Sequence, residues 1–355
     1  MRILALTRYD DLGASSRLRT YQYQPFLQRE GIELDIQPFF DRGYLESLYG
    51  GVRRRAAWLD GVRRRTIALR GVRHDAVWIE KEALPWVPWA IEARLWPQDL
   101  PVIVDYDDAI FHRYDEHRSP LVRRVFGTKI DKIMRRADLV VAGSRYLADR
   151  ASSAGCRHIE LIPTVIDLDR YPEASSHQPE AGPVRIGWIG SPSTAHYLRP
   201  IGELLRQMSH ETPIDCVAIG ARPDQLAGGP FHAERWTEHS EVSALRGLDI
   251  GIMPLPDEPW ERGKCGYKLI QYMACGLPVI ASPVGANREI VQHGENGYLA
   301  EGLDEWRNAI AKLVGSTLIR RSLGSAGRRG VEARFTLQVQ SPQLVSLLRS
   351  LVLPR

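Results

Sequence analysis

Residues Gly263–Ala300 read GKCGYKLIQYMACGLPVIASPVGANREIVQHGENGYLA, and the order of residue types in this stretch decides the fold class. Lys264 and Lys268 open a helical stretch with a mixed surface, and the small-residue turn Ala274-Cys275-Gly276 closes it. An apolar strand follows at Pro278–Ala281, and a glycine-bounded turn comes after it. Helix, turn and strand in that order form one unit of an α/β fold with a parallel sheet. Cations and exposed backbone N–H groups then gather beside the carboxyl edge of the sheet, where a phosphorylated ligand can bind.

Lysine is scarce outward from this stretch. Only Lys81, Lys129, Lys132, Lys264, Lys268 and Lys312 occur, and arginine supplies the remaining basic residues, so two lysines four apart stand against the chain's own bias. Upstream, apolar runs at 184–189, 215–219, 231–236 and 250–253 continue the α/β alternation. A second series runs from the amino terminus through 2–7, 32–38, 76–79, 102–105, 139–142 and 158–162. Helical patterns separate most of them, including 17–29 and 121–137; Gly276 suits a helix end, and Gly285 and Gly297 suit tight turns. The segment 171–183, YPEASSHQPEAGP, has no apolar period and reads as a linker. The expected organisation is an amino-terminal domain 1–170, that linker, a carboxy-terminal domain 184–336, and a closing helix over 337–355 that starts at Pro342 and packs across the domain junction.

A length of 355 residues supports two cores, and 44% apolar with 25% charged residues excludes a disordered or fibrous chain. Cys156, Cys216, Cys265 and Cys275 have no metal-ligand spacing and read as reduced thiols in a cytoplasmic protein. No run approaches the roughly 20 apolar residues that span a bilayer. Between Arg42 and Arg73, nine arginines face two acidic residues, GVRRR occurs at Gly51 and Gly61, and Trp58, Leu59, Ile67 and Leu69 lie among them. Region 42–74 is either a solvated basic helix pair or a peripheral contact for anionic lipid or a charged acceptor, at the inner face of the cell membrane. A nucleic-acid partner is not expected.

Residues 186–300, above all Lys268–Gly276, Pro278–Gly285 and Gly294–Leu299, resemble the donor-binding half of family 4 glycosyltransferases, in a bacterial polysaccharide or cell-surface glycan branch. The resemblance continues more weakly through Ser15–Arg19, Glu80–Pro85, Asp105–Phe111 and Gly143–Ala148. It implies a GT-B fold, with two Rossmann-like domains facing each other across a cleft. The implied activity is retaining, metal-independent transfer from a nucleoside-diphosphate sugar to a glycan, a lipid-linked saccharide or a small acceptor. No other cofactor is implied. A nucleotide-sugar epimerase and a catalytically weakened sugar-binding protein are the alternative readings.

Members of this family carry two glutamates eight residues apart, one on the sugar and one on the ribose. Those positions fall here on Gly263 and Gln271, with Glu258 and Glu261 close to the first. An amide in place of a carboxylate forgoes a charge-assisted bond of roughly 1.5–3 kcal/mol. The family's basic pair after the first strand of this half is absent around Ser191, so Arg262, Lys264 and Lys268 are the expected diphosphate contacts. Lys264 is also the expected stabiliser of the leaving nucleotide. The backbone at Gly285, Ala286 and Asn287 is expected on the same phosphates, Glu289 near the sugar, and Trp236 beside the base. In the first domain, Gly13 and Arg17 are the expected anion contacts. Glu82 or Lys81 stands where relatives carry a histidine, and Asp107 and Asp108 would bind acceptor hydroxyls or position the donor sugar.

Overall fold

The computed structural model describes residues 1–49, 56–172 and 182–352. The expected linker therefore lies outside the described residues at 173–181, and the basic region 42–74 does so at 50–55. The chain forms two compact units. One comprises Met1–Thr164, Arg262–Cys265 and Gln340–Arg355, and the other comprises Val165–Glu261 and Gly266–Val339.

The first unit is built on a six-stranded sheet: β1 Arg2–Tyr9, β2 Glu33–Phe40, β3 Ala76–Glu80, β4 Val102–Tyr106, β5 Leu139–Ala142 and β6 Ile159–Leu161, in the order β2-β1-β3-β4-β5-β6. All its pairings are parallel. AVWIE and VIVDY are buried at every position, as expected for strands covered by helices on both faces. The second unit repeats the plan with β7 Val184–Ile189, β8 Ile214–Ile219, β9 Phe231–Glu234, β10 Ile250–Met253, β11 Val279–Ala281 and β12 Gly297–Leu299, in the order β12-β11-β10-β7-β8-β9. Both sheets reverse their strand order once, between β1 and β3 and between β7 and β10. Ligands of open α/β sheets bind outside the carboxyl ends of strands at such reversals.

Four local expectations change. The helical pattern over 17–29 is an α-helix at Ala14–Arg19, a 3-10 turn at Tyr21–Tyr23 and a second α-helix at Gln24–Arg29. Gly297 opens a strand rather than a turn, pairing with Val279 of β11 at a point where a Cβ would meet Val279 Cγ2 at 2.6 Å. The helical pattern over 121–137 divides into Pro120–Phe126 and Lys129–Arg136, with Gly127 at the break. The closing helix starts at Leu337, and Pro342 lies inside it. There the buried residues Leu337, Leu344, Val345 and Leu348 outweigh the hydrogen bond that proline cannot donate.

Candidate active site

At the reversal edge of the first sheet, β1 leads into Asp10–Gly13. Gly13 has no room for a side chain, since a Cβ would meet Tyr9 Cβ at 2.4 Å. The helix Ala14–Arg19 follows, and the hydroxyls of Ser15 and Ser16 donate to the two Glu80 oxygens at 2.7 and 2.5 Å. Arg17 reaches back to the Asp11 carbonyl at 3.4 Å. One turn further, Arg19 makes a buried bidentate pair with Asp105 at 2.7 and 2.9 Å.

β3 ends in a three-residue turn. The Glu82 N–H donates to the Glu80 carbonyl at 2.8 Å, and Lys81 between them has φ 66°. That left-handed conformation costs a lysine on the order of 1–3 kcal/mol. The turn sends three consecutive charges to three sets of partners. Glu80 takes the serines and the Arg8 N–H at 2.8 Å. Lys81 is 3% exposed and pairs with Asp107 at 2.9 Å and Asp108 at 2.8 Å. Glu82 is buried against Lys129 at 2.7 Å, Arg8 at 3.3 Å and the Tyr114 hydroxyl at 2.9 Å.

Burial opposes the Lys81 charge, but Asp107 and Asp108 outweigh it and raise the ammonium above its ordinary range. Burial likewise opposes the Asp107 charge, which Lys81 holds below the usual carboxylate range. For Glu82 burial is again opposed, by Lys129 and then Arg8, and the carboxyl is lowered. Glu82 is thus spent on its neighbours, whereas the Asp107 and Asp108 side chains keep 16% and 27% exposure.

The segment Arg262–Cys265 clusters with this unit. A Cβ at Gly263 would meet Ala109 Cβ at 2.4 Å, and the Cys265 thiol donates to the Asp107 carbonyl at 3.0 Å. Lys264, between them, is therefore held beside the loop that carries Asp107 and Asp108, while Arg262 is exposed. A glutamate would not fit at 263. Glu261, in the second unit, is buried and accepts from the Tyr197 hydroxyl, and Glu258 is exposed.

The reversal edge of the second sheet is built differently. After β7 comes Gly190, where a Cβ would meet Trp188 Cζ2 at 2.4 Å and the Lys268 ammonium at 2.6 Å. Gly220 after β8 has φ +86° and packs on the Gly190 carbonyl. Lys268 lies 4.1 Å over the Trp188 ring, close enough for a cation–π contact. Tyr272, one turn on in the helix Tyr267–Ala274, receives the Ile189 N–H and donates to the Ile252 carbonyl, joining β7 to β10 at the reversal. Ser191 is exposed, with its hydroxyl 2.8 Å from that of Ser193.

Gln271 is buried at 3% exposure, and its amide donates to the Tyr171 hydroxyl at 3.3 Å. Tyr171 donates to Glu241 at 3.0 Å, and Trp236 donates to the other Glu241 oxygen at 2.9 Å. Tyr171 has one proton, which goes to Glu241, so residue 271 must be a donor, and an amide is one where a carboxylate is not. Gly285 has φ 51°. The Asn287 side chain holds the Ser282 carbonyl at 3.0 Å and its N–H goes to Val284, leaving Glu289 exposed on a helix of four residues.

The structure thus gathers Asp107, Asp108 and Lys264 in one unit, and Lys268, Gln271 and Trp236 in the other. Sequence reasoning missed Ser15 and Ser16 on Glu80, Tyr197 on Glu261, and the Tyr171–Glu241 link, because no local pattern announces a partner 64 to 100 residues away. Among the described residues, His112, Asp115 and Glu116 bring potential metal ligands within 4.8 Å of one another, but Asp115 is already paired with Arg150 at 2.9 Å. A surface cavity of about 460 Å³ opens beside β12, lined by His293, Tyr298 and Lys312 among others, and none of the expected site residues lines it.

Residues 196–316 match the family described as glycosyl transferases group 1. The chain is 33% identical over 117 residues to a D-inositol 3-phosphate glycosyltransferase of Geodermatophilus obscurus, covering 33% of this chain and 23% of that one. It is 24% identical to a GDP-mannose-dependent monoacylated alpha-(1-6)-phosphatidylinositol monomannoside mannosyltransferase of Corynebacterium glutamicum, over 62% of this chain and 64% of the other. It therefore spans less than two thirds of the length of each. Among solved structures, the sucrose-phosphate synthase of Thermosynechococcus elongatus superposes with a TM-score of 0.71 at 17% identity, over 99% of both chains. Anabaena HepE in complex with UDP and glucose superposes with a TM-score of 0.69 at 18% identity, over 99% of this chain and 100% of that one.

Proposed function

We propose that the chain, whose residues 196–316 match the glycosyl transferases group 1 and whose two sheets have the GT-B fold, is a retaining glycosyltransferase. It moves a sugar from a nucleoside-diphosphate donor to a hydroxyl of a glycan, a lipid-linked saccharide or a small acceptor, in cell-surface polysaccharide synthesis. The observation that carries this reading is the Lys268 ammonium beside the bare backbone of Gly190, at the reversal between β7 and β10. A side chain at 190 would fill the space a diphosphate needs, and the ammonium meets the charge that grows on the leaving nucleotide. Such an interaction is worth on the order of 4 kcal/mol at ~4 Å and an effective dielectric near 20, before desolvation. Trp236, half-buried and fixed by Glu241, supplies an aromatic surface for a nucleoside. The leaving phosphate accepts the proton of the acceptor hydroxyl, so the protein's contribution is placement and charge stabilisation.

The acceptor class draws support from the names of the relatives, which act on inositol phosphate and on a phosphatidylinositol mannoside. Peripheral membrane contact at the cytoplasmic face draws support from the helix Ala56–Arg70, where Leu59 and Ile67 are 64% and 61% exposed among the exposed Arg63, Arg64 and Arg70. Binding to anionic but not neutral vesicles, weakened by salt, is the expected result, and indifference to both variables rejects it. No helix among the described residues is long and apolar enough to cross a membrane.

The test of the transfer reading is a screen of nucleotide sugars with cell-envelope acceptors, following nucleotide release and the anomer formed. Acceptor-dependent release with retained configuration is expected. Donor turnover without acceptor would mean an epimerase, and donor binding without any product would mean a binding protein.

A further inference from the structure

The cavity of about 460 Å³ beside β12 lies wholly in the second unit, and the transfer reading does not use it. β12 is the outermost strand of its sheet, two strands out from the reversal between β7 and β10. The volume falls within the roughly 300–1,000 Å³ of small-molecule sites. One wall is a single face of the helix Leu303–Val314, on which Glu305, Asn308, Ala309 and Lys312 recur at helical spacing. The facing wall carries His293 and Tyr298, whose rings meet edge to face at 5.4 Å.

The polar groups on these walls are aimed and only partly engaged. The Leu299 N–H donates to His293 Nδ1 at 3.2 Å, so the neutral ring carries its proton on Nε2, as a donor. Glu305 accepts the Glu301 N–H through Oε2 at 2.9 Å and keeps Oε1 as a second acceptor. Lys312 stands 5.4 Å from the centre of the Tyr298 ring, which packs on the core of this unit. The Tyr298 hydroxyl and the Asn308 amide have no hydrogen-bond partner among the described residues.

This lining limits what can enter. One ammonium against one carboxylate leaves the cavity without net charge, so neither a polyphosphate nor a polycation is favoured as a whole. An apolar ligand would cut Glu305, Asn308 and Lys312 off from water without replacing their hydrogen bonds. A matching ligand donates and accepts at several points and offers C–H surface to Tyr298 and Ala309. The hydroxyls and ring carbons of a saccharide do both.

We propose that this cavity is a second saccharide site, which binds a short stretch of uncharged glycan and takes no part in the transfer step. Asn308 and the Tyr298 hydroxyl both donate and accept, Glu305 accepts, and Lys312 and His293 Nε2 donate. The inference stands on the lining alone and does not require the chain to be a transferase. Where the transfer reading holds, a glycan fixed here stays at raised effective concentration between one transfer and the next.

Maltotriose, mannotriose and triacetylchitotriose are titrated into wild type, Asn308→Ala, Tyr298→Phe and Asn308→Trp. UDP and GDP serve as references, and hydrogen exchange locates the ligand. Asn308 is exposed and alanine favours a helix, while phenylalanine keeps the packing of the ring, so these variants keep the fold. Tryptophan at 308 closes the cavity from its exposed side. At least one trisaccharide is expected to bind wild type and to slow exchange at 297–299 and 303–312. Asn308→Ala should weaken it by about tenfold and Tyr298→Phe by about threefold, with nucleotide affinity kept within about twofold. Asn308→Trp should abolish it.

A wild type that binds none of the three would overturn the site. So would unchanged affinity in every variant, or protection confined to 80–82, 105–109 or 189–195. Trisaccharide binding here without acceptor-dependent nucleotide release upholds the site and overturns the transfer reading instead. Sugar transfer with no saccharide held at this cavity does the reverse.

Discussion

The two sheets reverse strand order in the same way, yet their edges are furnished in opposite styles. The first edge is crowded with paired charge: Glu80 with two serines, Lys81 with two aspartates, Glu82 with Lys129 and Arg8. The second edge has glycine backbone at 190 and 220 and a single ammonium over a tryptophan ring. At the first edge the carboxylates are matched by Lys81, Lys129 and Arg8, and at the second a cation stands beside backbone without side chains. One architecture thus offers two chemistries, and the choice is made by a few residues after the strands rather than by the strands themselves.

The comparison breaks most visibly at Glu82. Glu82→Gln removes one charge from a buried group that includes Lys129 and Arg8, and should cost about 3–5 kcal/mol of stability in denaturant unfolding. Unchanged stability would show that the first edge is not organised by its ion pairs. Lys268→Ala tests the other side. It should weaken nucleoside diphosphates by about 10- to 100-fold, the equivalent of roughly 1.5–3 kcal/mol, while leaving methyl glycosides alone. Equal weakening of both ligands would mean that the ammonium acts through folding.

The strands were the legible part. The boundaries expected at 184–189, 250–253 and 139–142 coincide with β7, β10 and β5, because apolar runs bounded by glycine, proline or charge leave little choice of length. The site was legible only as a neighbourhood. Lys264 and Lys268 are four residues apart and looked like one feature, but they cluster with different units. Gly263 and Gln271 looked like losses from a family pattern. Each has a local cause: no space beside Ala109 for one, and the need for a donor to Tyr171 for the other. Neither cause can be seen in a sequence, since Tyr171 lies 100 residues from Gln271.

Gln271→Glu sharpens that point. It restores the family residue but sets a second carboxylate near Glu241 without a proton to share, and should lower stability by about 1–3 kcal/mol. A gain in stability would show that the network is arranged otherwise. The smallest expected effect is on acid stability. Asp107 and Glu82 have lowered folded-state pKa values, so between those and their ordinary values the unfolded chain binds more protons. Their stabilising contribution is complete above the ordinary carboxylate range and is lost as pH falls through the lowered values. Melting temperature should therefore fall on acidification below about pH 4, and more shallowly in Glu82→Gln. Identical slopes would remove Glu82 from the explanation.

Hydrogen exchange with and without a bound nucleoside diphosphate, taken as whichever of UDP, GDP, ADP or dTDP binds best, tests the division between the edges most directly. The prediction is slowed exchange at 189–195 and along the helix Tyr267–Ala274. Protection confined to 80–82 and 105–109 would contradict it, because the diphosphate would then sit on the edge described here as its opposite.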